Sequence, residues 1–353
     1  MSTETTIETN VSVTTAVVAA ATDSTGPYVY LVFLCILIVS ITVSNSLVLI
    51  AVNRYHSLQT VTNQYVISLS VADLLVGIGL VCWLIMDMVS WYAQWQPPDY
   101  ICFFRTGLAL VTIVVSMLNV LAIAVDRYVA IIYPFVYNTH MTYRVANTVI
   151  AGLWTYAILL FAIPAGLSAD RDAGCHFESF VNKYHILAYC IHYIITFVVM
   201  LCLYSKIFAV SWHQMREIQR LRISAPAGDG RRDHHDLASL KQTMRTVRVF
   251  LMVFGILFTC LTPFYVLYTM LAFTELNVES GPTYMFNLTQ TADALLFANS
   301  TMNPFIYAWK YREFKVAFKK LLGCYRFDGY SSNSYTFRES TYTNRNGAHE
   351  GAA

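Results

Sequence analysis

The chain has 353 residues and a formal net charge of +2, and 56% of its residues are hydrophobic while only 12% are charged. Its mean hydropathy is +0.50, whereas about a quarter of the residues in an ordinary soluble domain are charged. This composition excludes an intrinsically disordered chain and an ordinary soluble multidomain enzyme.

Apolar windows long enough to cross a membrane occur seven times along the chain. Five windows of 20 to 30 residues contain no Asp, Glu, Lys or Arg, and two more contain one acid each, Asp73 and Asp293. A transmembrane helix needs about 20 apolar residues. The sequence therefore predicts an all-α membrane protein, a seven-transmembrane helix bundle. The predicted spans lie near residues 28–53, 63–90, 99–133, 143–168, 184–217, 236–272 and 283–308.

An amphipathic helix is predicted after the seventh span, at Lys310–Leu322, with apolar side chains on one face and lysines elsewhere. This pattern is typical of a helix that lies on the inner membrane surface in contact with lipids. Cys324 follows directly and is a candidate palmitoylation site, with a free thiol as the alternative. The predicted organisation is an extracellular tail at 1–27, a membrane domain with its surface helix at 28–325, and a disordered cytoplasmic tail at 326–353.

Positive charge predicts the orientation. With the N-terminus outside, only Arg105, Arg171 and Lys183 of the 23 Lys and Arg residues fall on the outer side. Cytoplasmic loops carry such an excess of positive charge, so we expect a plasma-membrane protein with its N-terminus outside and its C-terminus inside. Asn10 begins a glycosylation acceptor in the outer tail. No nucleic-acid partner is expected, because the chain has no soluble basic domain.

The cysteines suggest one disulfide bond. Five of the eight cysteines fall within predicted spans, where cysteine is usually an inert apolar residue. Cys102, at the outer end of the third span, and Cys175, in the second outer loop, are the two candidates on the oxidising side. We therefore predict that they form a disulfide.

Polar residues within the spans point to a function, because an ionisable side chain there costs roughly 3 kcal/mol. Asp73 is the sharpest case, since Asn45, Ser116, Asn299, Ser300 and Asn303 lie in other spans at a similar depth. Oxygen ligands of this kind suit a small cation or waters. A structural hydrogen-bond network is the alternative. At the inner end of the third span, Arg127 follows Asp126, although snorkelling alone explains an arginine there.

Together these residues resemble the rhodopsin-like (class A) G-protein-coupled receptors. The resemblance covers about residues 28–325 and depends on Asn45, Leu69–Asp73, Asp126-Arg127-Tyr128, Trp154, Pro263 and Asn303–Tyr307. It implies a receptor that converts ligand binding into nucleotide exchange on a heterotrimeric G protein, with arrestin as a further partner. It assigns G-protein coupling to Asp126, Arg127, Tyr128, Tyr204 and Tyr307, and an allosteric sodium ion to Asp73, Ser116, Asn299 and Asn303. It implies no other cofactor.

Within that family the chain is most similar to adenosine receptors, in the segments Ser57–Gly77 and Asn299–Leu322 and in the loop Cys175-His176-Phe177-Glu178. In those receptors the loop phenylalanine stacks on adenine and the glutamate binds its amino group, which implies these roles for Phe177 and Glu178. An aromatic face beside an acceptor suits a planar heterocycle. The other predicted ligand-binding residues are Leu110, Ile113, Leu261, Tyr268 and Leu296.

Departures from the adenosine-receptor pattern leave the ligand open. Tyr268 replaces an asparagine, and Leu296 and Phe297 replace the serine and histidine that bind ribose. The resulting apolar pocket suits a lipid-like ligand equally well, so an orphan or lipid-sensing receptor of the same family is the alternative. Ala109 stands where an amine receptor has an aspartate, which argues against that class.

Two further expectations concern the resting state and the rival functions. Thr243 replaces the acid that locks Arg127 in the family, so we expect appreciable basal activity. A transporter is a distant alternative, because the chain shows no inverted repeats. An enzyme is not expected, since His192, the one histidine well inside a span, has no metal-spaced partner.

Overall fold

The computed structural model describes residues 26–93, 97–168, 181–224, 230–274 and 283–324, and in these ranges the chain is helical. The long helices of these ranges are α1 (Gly26–Arg54), α2 (Val61–Ala93), α3 (Asp99–Ile132), α4 (Tyr143–Ser168), α5 (Lys183–Ser224), α6 (Gly230–Thr274) and α7 (Thr283–Lys310). A short helix, Pro134–His140, lies between α3 and α4, and α8 (Arg312–Leu321) follows α7. The predicted all-α fold class is confirmed.

The long helices have the dimensions and surface of membrane spans. Within the described residues, α1 to α6 are each long and apolar enough to cross a membrane. Helix α7 is long enough at 28 residues, but Asp293, Asn299 and Asn303 make it less apolar. Large apolar side chains such as Ile36 and Ile195 point outward and are exposed. So many exposed apolar side chains are unusual in a soluble protein and fit contact with lipid.

Helix α3 is the centre of the bundle. It packs against α2, α4, α5 and α6, while α1 closes the ring by packing on α2 and α7. In α3, 67% of the most apolar window is buried, against 17% in α4. Polar side chains on α3, including Ser116, Asn119 and Asp126, are therefore carried into the interior.

Pro134 ends α3 and starts a helix that the sequence did not predict. Tyr133 has φ −128° and ψ 62°, outside the helical region, as expected for a residue that precedes proline. Pro134 then occupies the first turn of the short helix Pro134–His140, where no backbone N–H is needed. The predicted third span, 99–133, is therefore one residue too long. The short helix carries Tyr137 close to the inner end of α3.

Two inner helix ends differ from the predicted bounds. Helix α5 continues to Ser224 and α6 begins at Gly230, whereas the predicted spans end at 217 and begin at 236. The predicted bounds of the spans followed from the lengths of the apolar segments alone. Both helices continue through polar residues because a helix that already exists is extended at much lower cost than a new one is nucleated.

Helix α8 is shorter than the predicted Lys310–Leu322, because Tyr311 is extended and separates it from α7. Phe314 and Phe318 are buried, as the amphipathic pattern predicts. Gly323, with φ 69°, ends the helix. Its N–H donates to the Lys320 carbonyl and the next N–H donates to the Lys319 carbonyl, which is the Schellman arrangement.

A continuous row of aromatic rings joins α5 to α6, and we call it the α5–α6 aromatic stack. Its rings alternate between the helices, with centroid separations of 3.9 to 5.8 Å between neighbours. The members are Tyr193, Phe197 and Tyr204 of α5 and Phe254, Phe258 and Tyr265 of α6. The Tyr193 hydroxyl also lies 2.7 Å from that of Thr262. Stacked pairs of this kind contribute about 0.5–1.5 kcal/mol each beyond their burial.

Gly107 permits the close approach of α3 and α4. A Cβ atom at this position would lie only 2.5 Å from the ring of Phe161. Gly152, on the exposed surface of α4, would place its Cβ within 4 Å of nothing. Substituting alanine at each of these two positions therefore separates the effect of packing from the effect of helix propensity.

We expect Gly107→Ala to destabilise the protein by about 1–3 kcal/mol, because Phe161 or α4 must move to accept the methyl group. Gly152→Ala should be neutral or stabilising, since alanine favours the helix by about 1 kcal/mol. The measurement is the thermal unfolding midpoint of the purified variants in detergent. Equal midpoints for the two variants would contradict the tight contact.

Candidate functional site

Buried polar side chains lie at three depths in the bundle, and we use inner and outer according to the predicted orientation. The inner cluster consists of Thr62, Asp126, Arg127 and Tyr137. The central cluster consists of Asn45, Asp73, Ser116, Asn299, Ser300 and Asn303. The third group of polar side chains, which includes Tyr268 and Asp293, lies around a cavity at the outer end of the bundle.

Arg127 in the inner cluster is held by side chains from three elements. Its Nε lies 3.0 Å and its Nη2 2.5 Å from Oδ2 of Asp126, which is buried. Nη2 also donates to the hydroxyl of Thr62 on α2 and, over 3.2 Å, to that of Tyr137. Thr62 in turn donates to Asp126 over 2.7 Å. Arg127 is therefore engaged on its own helix, on α2 and on the short helix.

Tyr137 adds a ring as well as a hydroxyl to this cluster. The Arg127 guanidinium carbon lies 5.9 Å from the centre of the Tyr137 ring, within cation–π range. Burial raises the pKa of the Tyr137 hydroxyl. The hydroxyl is therefore protonated at neutral pH and accepts from Arg127 as a neutral group.

These contacts extend what the sequence predicted for Arg127. Asp126 was expected as its neighbouring partner, but Thr62 and Tyr137 were missed, because no local pattern links residues on different helices. The Thr243 side chain, whose uncharged character motivated the expected basal activity, lies outside the described residues. The described part of the chain thus supplies Arg127 with two resting partners that the sequence argument did not count.

Among the described residues, none of the three tyrosines predicted to act with Arg127 forms a side-chain hydrogen bond with it. Tyr204 and Tyr307 are each 1% exposed, and among the described residues their hydroxyls have no hydrogen-bond partner. Tyr128 packs against Tyr133, with ring centroids 6.2 Å apart. Of the five predicted coupling residues, the structure brings Asp126 and Arg127 together.

Asp73 is the core of the central cluster and is fully buried. Its Oδ2 accepts from Nδ2 of Asn303 over 3.1 Å, and the hydroxyls of Ser116 and Ser300 are near enough to interact with the carboxylate. Its Oδ1 has no partner among the described side chains, and neither has Oδ1 of Asn299. Asn45 ties α1 to α7 by donating to the Ser300 carbonyl over 2.9 Å. The predicted cluster therefore assembles with unpartnered oxygen atoms in it.

A deep cavity lies next to this cluster. It is lined by Val76, Ile113, Ser116, Leu257, Leu261, Leu296, Phe297, Asn299 and Ser300. Three of the predicted ligand-binding residues, Ile113, Leu261 and Leu296, lie here. The cavity has an apolar wall and a polar floor made by the central cluster.

A second cavity lies nearer the outer end and has a different lining, namely Leu110, Val181, Ile186, Tyr189, Phe264, Tyr265 and Tyr268. Leu110 and Tyr268 were predicted to bind the ligand, while Phe177 and Glu178 lie outside the described residues. The residues predicted to line one apolar pocket are therefore divided between these two cavities, and four aromatic residues line the outer one.

Asp293 on α7 borders this outer region, and the sequence analysis gave it no role. The Tyr268 hydroxyl donates to its Oδ1 over 3.2 Å and to its Oδ2 over 3.3 Å. Asp293 lies one helical turn from Leu296 and Phe297, which line the deep cavity. The sequence did contain a signal for Asp293, because an ionisable residue within a span is by default a candidate functional residue.

Two of the residues predicted to be covalently modified, Cys102 and Cys324, lie in the described part of the chain. Cys102 is buried and disulfide-bonded, but Cys175 lies outside the described residues, so the pairing stays a prediction. Asn10 lies outside them as well. Cys324 is an exposed free thiol directly after α8, a position that a lipid modification requires.

Comparison with known proteins identifies the family. The family model described as 7 transmembrane receptor (rhodopsin family) matches residues 44–307. The D(1A) dopamine receptor of Didelphis virginiana is 31% identical over 90% of this chain and 77% of its own length. The D(1) dopamine receptor of Carassius auratus is 31% identical over 83% and 88% of the two chains. The D(1)-like dopamine receptor of Oreochromis mossambicus is 32% identical over 83% and 78%.

These comparisons correct one expectation from the sequence. They support the rhodopsin-like family as a whole, but the similar proteins are dopamine D1-like receptors and not adenosine receptors. Two of the segments that suggested adenosine receptors, Ser57–Gly77 and Asn299–Leu322, contain Thr62 of the inner cluster and four of the six residues of the central cluster. They contain none of the side chains that line the outer cavity.

Proposed function

Because the chain belongs to the rhodopsin family of seven-transmembrane receptors, we propose that it responds to a small extracellular amine. The family consists of membrane-spanning receptors, not enzymes, which bind small molecules and signal through heterotrimeric G proteins. The N-terminus lies outside, so the outer cavity opens toward the extracellular ligand and the inner cluster toward the G protein.

The aromatic lining of the outer cavity is the observation that carries the amine proposal. Tyr189, Phe264, Tyr265 and Tyr268 place four rings around one small space, and the rings of Phe264 and Tyr268 are 4.4 Å apart. Aromatic faces attract ammonium groups, by about 2 kcal/mol or more where water is excluded. The related proteins are named as receptors for dopamine, which is an amine.

Ala109 is evidence against an amine ligand, because amine receptors have an aspartate at this position of α3. It concerns a single position of the outer cavity region, however, and other residues there can also attract a cation. The aromatic lining supplies attraction for a cation without any group on α3, so the absence of a carboxylate at Ala109 does not exclude the amine class. It does require that the ammonium group bind elsewhere in the cavity.

We expect amines, and not adenosine, to stimulate GDP–GTP exchange on purified G protein. The measurement compares dopamine, tyramine, 2-phenylethylamine and serotonin with adenosine on receptor in lipid nanodiscs. Arg127→Ala is the control, because it should leave ligand binding intact and abolish exchange at the inner end. Stimulation by adenosine with no response to any of the amines would refute the proposal.

The inner cluster holds the receptor at rest. Thr62 and Tyr137 occupy the guanidinium of Arg127, so these contacts must break before Arg127 can engage a G protein. Asp126 stabilises the same arrangement from its own helix. The resting state therefore depends on hydrogen bonds to Arg127 from α2 and the short helix.

We expect Thr62→Val to raise ligand-free exchange about tenfold or more, because a hydrogen bond to a charged group contributes about 1.5–3 kcal/mol to the resting state. The matched control is Thr259→Val, since the exposed Thr259 hydroxyl bonds only to the Gly255 carbonyl of its own helix. Exchange is measured without ligand and per receptor at the surface. Unchanged basal exchange in Thr62→Val would show that this contact does not restrain Arg127.

We further propose that Asp73 binds a sodium ion that favours the resting state. The unpartnered, buried Oδ1 atoms of Asp73 and Asn299 fit the oxygen ligands that a small hard cation prefers. The hydroxyl of Ser116 and the amide of Asn303 complete the set of residues near the carboxylate. A cation that binds the resting state better than the active one shifts the population toward rest.

Sodium should therefore lower agonist affinity in the wild-type receptor, and Asp73→Asn should abolish that effect. Agonist binding is measured in sodium chloride and in choline chloride of equal ionic strength, which controls for screening. A sodium response that persists in Asp73→Asn would mean that Asp73 has only a structural role.

A further inference from the structure

Asp293 is a carboxylate within a membrane-spanning helix, where a charged group needs a compensating partner. Its two oxygens share one donor, the hydroxyl of Tyr268. Over the ranges that the structure describes, no Lys, Arg or His side chain forms an ion pair with it. A single hydroxyl leaves most of the acceptor capacity of a carboxylate unused.

The position of Asp293 links the two cavities. Tyr268, its hydrogen-bond partner, lines the outer cavity, and Leu296 and Phe297, one turn along α7, line the deep cavity. Residues at i, i+3 and i+4 share one face of a helix. Asp293 therefore lies on the face of α7 that turns toward the interior, at the level between the two cavities.

The surroundings of Asp293 favour a bound cation. Tyr268 is itself one of the four rings that line the outer cavity, so the carboxylate adjoins the aromatic surface. A carboxylate beside aromatic faces binds a protonated amine through both charge and cation–π attraction. Because residue 109 is alanine, α3 places no competing carboxylate beside Leu110, which lines the outer cavity.

We propose that Asp293 on α7 is the carboxylate that binds the ammonium group of the ligand, a task that α3 cannot perform because Ala109 has no charge. This inference rests on the proposed amine function and deepens it. The ligand lies with its cationic end against α7 and Tyr268. Its uncharged part extends among the rings of α5 and α6.

Tyr189 indicates what the other end of the ligand carries. It lines the outer cavity from α5 and is 4% exposed. Among the described residues its hydroxyl has no hydrogen-bond partner. A buried hydroxyl without a partner is destabilising, and a ligand hydroxyl can satisfy it. The best ligand is therefore an aromatic amine with a hydroxyl group far from its ammonium group.

The test compares dopamine with 4-propylcatechol, in which a methyl group replaces the ammonium group. Binding is measured by the thermal shift of purified wild-type, Asp293→Asn, Asp293→Glu and Asp99→Asn receptors in nanodiscs. Asp293→Asn should weaken dopamine about 100-fold, as expected when a buried charge pair loses one member, and should leave 4-propylcatechol unchanged. Asp293→Glu should retain most of the affinity. Asp99→Asn, at the outer end of α3, controls for loss of negative charge.

Comparing two ligands within one variant separates loss of the ammonium contact from a general loss of binding, and Asp293→Glu keeps the charge if Asp293→Asn fails to fold. If Asp293→Asn keeps the wild-type preference for dopamine, the inference is wrong while the amine function stands. If the wild-type receptor binds adenosine and neither dopamine nor tyramine, the amine function fails and the inference fails with it.

The Tyr189→Phe variant tests the proposed hydrogen bond between Tyr189 and the hydroxyl group of the ligand. It should weaken tyramine about tenfold, the value of one neutral hydrogen bond, and leave 2-phenylethylamine, which has no hydroxyl, unaffected. An equal effect on both amines would mean that Tyr189 only shapes the cavity. Unchanged binding of both would remove it from the ligand site.

Discussion

The architecture depends on the need to satisfy carboxylates that the bundle withdraws from water. Asp126, Asp73 and Asp293 lie at three depths, and each is met by side chains from another helix. An unpaired charge in this environment is expensive, so each aspartate fixes which helices must be neighbours. Arg127 supplies Asp126 with a positive charge from the protein itself, so this carboxylate is neutralised at rest. Among the described side chains Asp73 and Asp293 have no such cationic partner, and their negative charge is available to a bound cation.

The fold could be predicted from the sequence because the membrane imposes a simple rule on composition. Charge-free windows of sufficient length identified the spans, and Lys and Arg counts suggested the orientation. The same rule says nothing about helices outside the lipid, so the ends of α5 and α6 and the helix begun by Pro134 were missed. Those features depend on backbone preferences and on contacts with the rest of the bundle, which apolar length does not record.

The site was predictable only where short motifs mark it. Asp126 and Arg127 are adjacent, and their contact follows from the sequence, whereas Thr62 reaches the same carboxylate from 64 residues away. The adenosine-like segments Ser57–Gly77 and Asn299–Leu322 include most of the central cluster but none of the residues that line the outer cavity, so they carry little information about the ligand. Asp293, like Asp73, is an acid within a predicted span, and the sequence alone marks both as candidate functional residues. The role proposed for Asp293 depends on its contact with Tyr268 and on the aromatic lining of the outer cavity, which only the folded chain brings together.

The α5–α6 aromatic stack has a mechanical consequence. Flat rings in contact slide across one another easily but separate only with loss of their contact area. The two helices can therefore shear lengthwise while remaining attached, and they resist being pulled apart. No proline interrupts α5, so the helix transmits displacement along its length as a stiff rod. Helix α6 has Pro263 beside Tyr265 and therefore a point at which it bends. A displacement of its outer part is passed through the contact of Tyr265 with Tyr193 to α5, which carries it on to the inner surface.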